Sequence, residues 1–189
     1  DSTLSEALTT LGFIQQNFDY KWSEARINLE KAVTLNPNNS TAHMYYGLVL
    51  MNATPDKEEA LREMKKAVDI DPLSYLTNWN LSRNYYFAGK YDLSIGQFKK
   101  MSLFITKTLY YNTIFSLGLI YLKKHDYPRA KEAFDQLPEG SGGQIDNFQV
   151  MQAYGYAVLG DNAKEKTLLE KTLKKYPSLS PYRNSQVYV

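Results

Sequence analysis

The feature that most constrains this chain is that it repeats itself. EARINLEKAVTLNP, residues 24–37, returns as EALREMKKAVDIDP at residues 59–72, thirty-five positions later. A recurring period of that size is the mark of an array in which each copy is one small structural unit. Within the two copies Ala25, Leu29, Ala32 and Val33 recur as Ala60, Met64, Ala67 and Val68, and both sets follow the i, i+4, i+7, i+8 spacing of one helical face. Each stretch therefore predicts a helix with a narrow apolar stripe. Pro37 and Pro72 then stop the helices, because proline cannot continue the hydrogen-bond ladder and pushes its predecessor out of the α region. Asn39, Ser40 and Ser74 stand ready to cap the next helix in each case.

A second helical stretch precedes each stripe and carries a small residue, Gly12 in TTLGFIQQN and Gly47 in MYYGLVLMN, where two helices are to touch closely. The unit continues down the chain as Ser82 with Ser94 and Phe98, Gly118 with Ala130 and Phe134, and Ala153 with Leu169 and Pro177. Five helix pairs joined by short turns result.

These residues resemble the tetratricopeptide repeat, and the resemblance covers essentially the whole chain. Each unit of that family pairs an A helix of the form bulky, small, two residues, aromatic with a B helix bearing small, aromatic, small and a closing proline. Leu81, Ser82, Tyr85, Gly89, Lys90, Tyr91, Ser94 and Phe98 match that form, as do Leu117, Gly118, Tyr121, Tyr127, Ala130 and Phe134. The first two units hold one extra residue in the turn within the repeat (NFDYKWSEA, NATPDKEEA). The third and fourth have Thr106 and Gly142 where the proline falls, and the fifth has Glu165 where a small residue is expected.

The resemblance implies a single all-α domain over residues 1–189, a right-handed α-solenoid of antiparallel helix pairs with repeats near 4–38, 39–73, 74–108, 109–143 and 144–178. Residues 179–189 read as the opening of a sixth A helix, and the first A helix begins without a polar cap. Both ends thus read as cut from a longer protein. Similar arrays are common in bacterial signalling proteins and regulators, attached to a separate effector domain.

The same resemblance puts the A helices on the concave side. The candidate peptide-binding groove is then Phe13, Met44, Leu48, Trp79, Asn80, Arg83, Tyr86, Phe87, Phe115, Leu119 and Tyr154. A wall so apolar and aromatic suits an amphipathic helix or an extended apolar peptide. The competing reading is that Trp79, Tyr86 and Phe115 only pack between neighbouring A helices. The family's chaperone-binding members grip a terminal carboxylate with Lys, Asn and Arg on these helices. Here Thr9 and Phe13 replace the first of those residues and only Asn80 and Arg83 are compatible, so the resemblance does not extend to a carboxylate clamp.

Composition and charge narrow the partner. Lys and Arg number 22 against 20 for Asp and Glu, a formal charge of +2, without the single-sign excess that draws proteins onto nucleic acid or anionic membrane. Helical repeats that read RNA need a polar and basic inner face, and Phe13, Leu48, Leu119 and Tyr154 are neither. The apolar run FSLGLIYL, residues 115–122, is far below the roughly 20 residues a membrane-crossing helix needs. The expected partner is another protein or peptide, or another part of the parent chain, with no nucleic acid and no direct membrane insertion. Self-association into a homodimer, or a spacer role, is the alternative. The absence of cysteine excludes disulfides and thiolate metal sites. It fits a reducing compartment, slightly favouring the cytoplasm, and is tolerated outside the cell.

No catalytic or cofactor-binding constellation is legible, so the expectation is a non-enzymatic protein with no cofactor and no metal. His43 and His125 lie in different repeats without a ligand partner at metal spacing and read as packing or surface residues. The glycine-rich EGSGGQ at 139–144 lacks the Gly-Lys-Ser/Thr ending of a phosphate loop and reads as a connection between repeats. Glu58 and Glu59 sit beside lysines on a face where i, i+4 pairing explains them.

Overall fold

The computed structural model describes residues 1–53, 57–138 and 144–175, and among them there is helix but no strand. The helices are α1 (Ser2–Asn17), α2 (Trp22–Leu35), α3 (Ser40–Ala53), α4 (Lys57–Ile70), α5 (Tyr75–Phe87), α6 (Tyr91–Met101), α7 (Lys107–Lys123), α8 (Tyr127–Asp135), α9 (Gln144–Leu159) and α10 (Asn162–Lys175). Odd-numbered helices are the A helices and even-numbered ones their B partners. The chain divides into two compact units, Asp1–Phe104 with α1 to α6 and Ile105–Val189 with α7 to α10. The segment 139–143 and the expected sixth A helix lie outside the described residues.

The helix ends follow local chemistry. α2 stops at Leu35 and α4 at Ile70, each two residues before its proline. Asn39 Oδ1 accepts from the Ala42 amide at 3.0 Å at the start of α3, and Ser74 Oγ accepts from the Thr77 amide at 3.4 Å at the start of α5. Ser40 does something else. Its hydroxyl donates to the Ala67 carbonyl at 3.0 Å, as Ser5 donates to Ala32 at 2.9 Å in the preceding repeat, and both bonds tie an A helix to its own B helix. The first helix does have a polar cap, since Asp1 accepts from the Thr3 amide at 3.1 Å.

Within the first unit the core is the shared surface of successive pairs. Ala25, Leu29, Val49, Leu50, Ala60, Leu61, Met64, Leu81 and Tyr85 form one buried cluster. Glycine makes the close approach possible. A Cβ on Gly12 would lie 2.5 Å from Leu29 Cγ, and one on Gly47 would meet Met64 Cγ at 2.6 Å and the Ala60 carbonyl oxygen at 2.9 Å, all inside van der Waals contact. In the third repeat Ser82 and Ser94 take the small positions, and the Ser94 hydroxyl donates to the Ser82 carbonyl at 2.7 Å. The second unit has the same seat built from two glycines. A Cβ on Gly118 would lie 2.5 Å from Phe134 Cε1, and one on Gly155 would lie 2.5 Å from Phe134 Cδ2.

Every described turn within a repeat is closed by one left-handed residue. These are Tyr20 (φ 56), Gly89 (φ 71), His125 (φ 56) and Gly160 (φ 76), each five residues before the small-residue position of its B helix. The extra residue of the first repeat is therefore absorbed on the A-helix side of the turn, around Phe18 and Asp19.

Candidate functional site

In the first unit α1 packs on α3 and α3 on α5, while among the described residues no comparable contact joins α2 to α4 or α4 to α6. Helices set closer together lie on the inner side of a curved stack, so in this unit the A helices carry the concave face. In the second unit α7 packs on α9 in the same way.

The groove residues expected from the sequence separate by depth. Met44 and Asn80 are buried, at 1% and 7% exposure. The Asn80 amide donates to the Leu76 carbonyl at 2.9 Å and lies 3.4 Å from Met44 Sδ, so both are spent inside the fold. Trp79 is half-buried and stands edge-on to Phe98 of its own B helix, ring centres 5.3 Å apart, with Tyr75 on its other side at 5.6 Å. Its ring braces α5 against α6. Phe13 and Leu48 remain half-buried, Phe13 lying 4.9 Å from the Tyr45 ring. Arg83 and Phe87 are exposed, Phe87 at 61%, with the guanidinium 5.6 Å from the Phe87 ring centre. Tyr86 is half-buried between Phe87 and Tyr91, at 5.5 and 5.6 Å. The first unit thus presents Phe13, Leu48, Arg83, Tyr86 and Phe87 from three successive A helices.

In the second unit Phe115, Leu119 and Tyr154 are all half-buried, and Phe115 leans on Phe134 at 6.0 Å. This unit also holds a cavity of about 310 Å³ between α8, α9 and α10, lined by Asp135, Gln152, Tyr156, Lys164, Thr167 and Leu168 among others. Gln152 stands where earlier A helices place Tyr46, Leu81 and Leu117, and its amide donates to the Phe134 carbonyl at 2.7 Å. Burial works to raise the Asp135 carboxyl, but hydrogen bonds from Lys131, Tyr156 and Lys164 outweigh it and hold the group below the usual aspartate range. Burial and that same carboxylate push the Tyr156 hydroxyl far above its ordinary value.

Sequence reasoning did not find the polar cluster around His43. The ring is 4% exposed, and both nitrogens are engaged, Nδ1 with Glu63 Oε2 at 2.6 Å and Nε2 with the Pro37 carbonyl at 2.9 Å. Lys66 Nζ lies 2.7 Å from the other Glu63 oxygen. Burial raises the Glu63 carboxyl, yet the bonds from His43 and Lys66 prevail and set it below the ordinary glutamate value. His125 is exposed in its turn, with Nδ1 3.1 Å from the Tyr127 hydroxyl. Glu58 pairs with Lys90 at 2.6 Å across to the next repeat, in addition to any pairing along its own helix. Among the described residues no group of three or more His, Asp or Glu could hold a metal ion, and no helix is long and apolar enough to cross a membrane.

Paired antiparallel helices, a small residue in each described A helix and a left-handed turn at fixed register define an all-α helical repeat of the tetratricopeptide type. The chain has that fold. No protein-family model matches the sequence, and no curated protein is significantly similar to it. Among solved structures it is similar to MamA at 16% identity, covering 98% of both chains with a TM-score of 0.68. It is similar to a tetratricopeptide repeat protein from Parabacteroides merdae at 15% identity, covering 98% of this chain and 70% of that one, TM-score 0.72. PilF of Pseudomonas aeruginosa is 17% identical over 93% of both chains, TM-score 0.63.

Proposed function

We propose that this chain is a non-enzymatic protein-interaction scaffold, and that the A-helix face of its first unit receives an amphipathic helix or extended peptide with apolar anchors beside an acidic group. The observation that carries this reading is the pairing of exposed Arg83 with exposed Phe87, next to Tyr86, Leu48 and Phe13. An aromatic ring and a guanidinium left on the inner side of a stack supply the two residue types that most often dominate binding energy. Arg83 is the single formal charge among those five side chains, so it selects an acidic partner group. Met44, Asn80 and Trp79 support the face from beneath, and Phe115, Leu119 and Tyr154 give the second unit an apolar row of its own.

The test is a displayed peptide library selected on the native protein and re-measured on Arg83→Ala/Phe87→Ala. Both side chains are exposed, so the variant keeps its fold. Selected peptides should carry an acidic residue beside apolar anchors and lose about tenfold or more in affinity on the variant. Peptides that bind native and variant equally would place recognition elsewhere.

A further inference from the structure

The second and third repeats contain the same three-part polar link written in two chemistries. In the second, His43 on α3 bridges the Pro37 carbonyl, in the connection from α2, to Glu63 on α4. In the third, thirty-five residues on, Asn78 on α5 takes the place of His43. Its amide donates to the Pro72 carbonyl at 3.1 Å and to the Ser74 carbonyl at 2.7 Å, and its oxygen accepts from Gln97 on α6 at 2.5 Å. Each link fastens the start of an A helix to the preceding inter-repeat proline and to its own B helix. The amide version cannot titrate. The imidazole–carboxylate version can.

A neutral imidazole has one N–H and one bare nitrogen, but His43 faces an oxygen acceptor at each end. Each of its two contacts needs one proton, so ring and carboxyl together must hold two. Which of the pair carries the second proton does not change that count. Lys66 on the far oxygen of Glu63 favours the ionised carboxylate and hence the doubly protonated ring. Loss of one proton leaves an oxygen facing a nitrogen lone pair in a buried place, where an unsatisfied acceptor is costly.

We propose that His43 and Glu63 form a pH-responsive latch at the junction of the first two repeats, closed while the pair holds both protons and released when one is lost.

The elements packed against α3 are α1, α2, α4 and α5. Of these α4 brings charge to the latch, through Glu63 and Lys66. Arg26 and Glu30 of α2 and Glu59 of α4 act one turn further along, on the Tyr46 hydroxyl. Glu6 of α1 is exposed, and Arg83 of α5 is exposed beside Phe87. Proton counting sets the sign. The closed latch holds two protons by its geometry, whereas the same two groups unfolded hold one or fewer above about pH 6.5, so closing takes up a proton and rising pH opposes it.

The test uses the native chain with ¹⁵N-labelled histidine, with exposed His125 as internal reference. At about pH 7 both ring nitrogens of His43 should carry protons, as its two oxygen acceptors require. A second measurement compares thermal midpoints of the native chain and of His43→Asn/Glu63→Gln, which installs the third repeat's own pair. The native midpoint should fall between about pH 6 and 8 relative to the double variant. A neutral His43 ring beside an ionised Glu63 carboxylate at about pH 7, the pair then holding one proton, or parallel pH profiles for the two proteins, would overturn the latch. The NMR readout decides alone should the double variant not fold.

Discussion

Phe134 lies between Gly118 and Gly155, and those two positions show how single atoms hold this fold. A Cβ at either would stand 2.5 Å from the ring, and a fully buried ring has nowhere to go. Gly118→Ala and Gly155→Ala are each expected to cost about 1–3 kcal/mol by overpacking, read as a lowered denaturation midpoint at unchanged slope. Gly96 is the control. It lies inside α6 with nothing within 4 Å of a Cβ, so Gly96→Ala should stabilise by about 0.5–1 kcal/mol through helix propensity alone. The seat formed by Gly118 is legible because that residue recurs in register. Gly155 is not, since it belongs to the next repeat and matters only once α9 packs over Phe134, a ring bulkier than the Leu29 and Met64 of the earlier units.

At the scale of the element, the turn inside each repeat needs one residue of positive φ. Gly89 and Gly160 adopt it freely, whereas Tyr20 and His125 carry a side chain there. Tyr20→Gly should stabilise the first pair by roughly 1 kcal/mol. His125→Gly should gain less, because it forfeits the contact with the Tyr127 hydroxyl. Calorimetry on the two variants checks both signs. The acid limb of stability belongs to this scale too. Glu63 and Asp135 both titrate below their ordinary values in the fold, so their contribution is present above the unfolded carboxyl range, about pH 4, and is lost as pH falls through the folded values. Glu63→Gln should flatten the stability profile below about pH 4. Helix number and the stops before Pro37 and Pro72 were readable because each follows from spacing or from one residue's backbone chemistry, whereas the Asp1 cap of α1 was not. The link of Pro37, His43 and Glu63 was not, because its partners stand twenty residues apart and meet only when α3 and α4 are packed.

For the molecule as a whole, the thirty-five-residue period carried the fold, since within each unit a pair buries its apolar stripe against its neighbour. The sequence register marked an inner row on the A helices. It could not grade depth within that row. Met44 and Asn80 share the row with Leu48 and Arg83, and only the helix crossing decides which side chains sink and which stay out. Trp79→Ala illustrates the consequence. With its ring seated on Phe98, the substitution should lower stability by roughly 3 kcal/mol or more, whereas Phe87→Ala, mostly in solvent, should leave the unfolding midpoint within about 0.5 kcal/mol of native. The most direct measurement is an amide NMR map of a library-selected peptide titrated into the native chain. Shifts centred on Phe13, Leu48, Arg83, Tyr86 and Phe87 of α1, α3 and α5 are expected, and shifts confined to the B helices α2, α4 and α6 would contradict a display face built on the A helices.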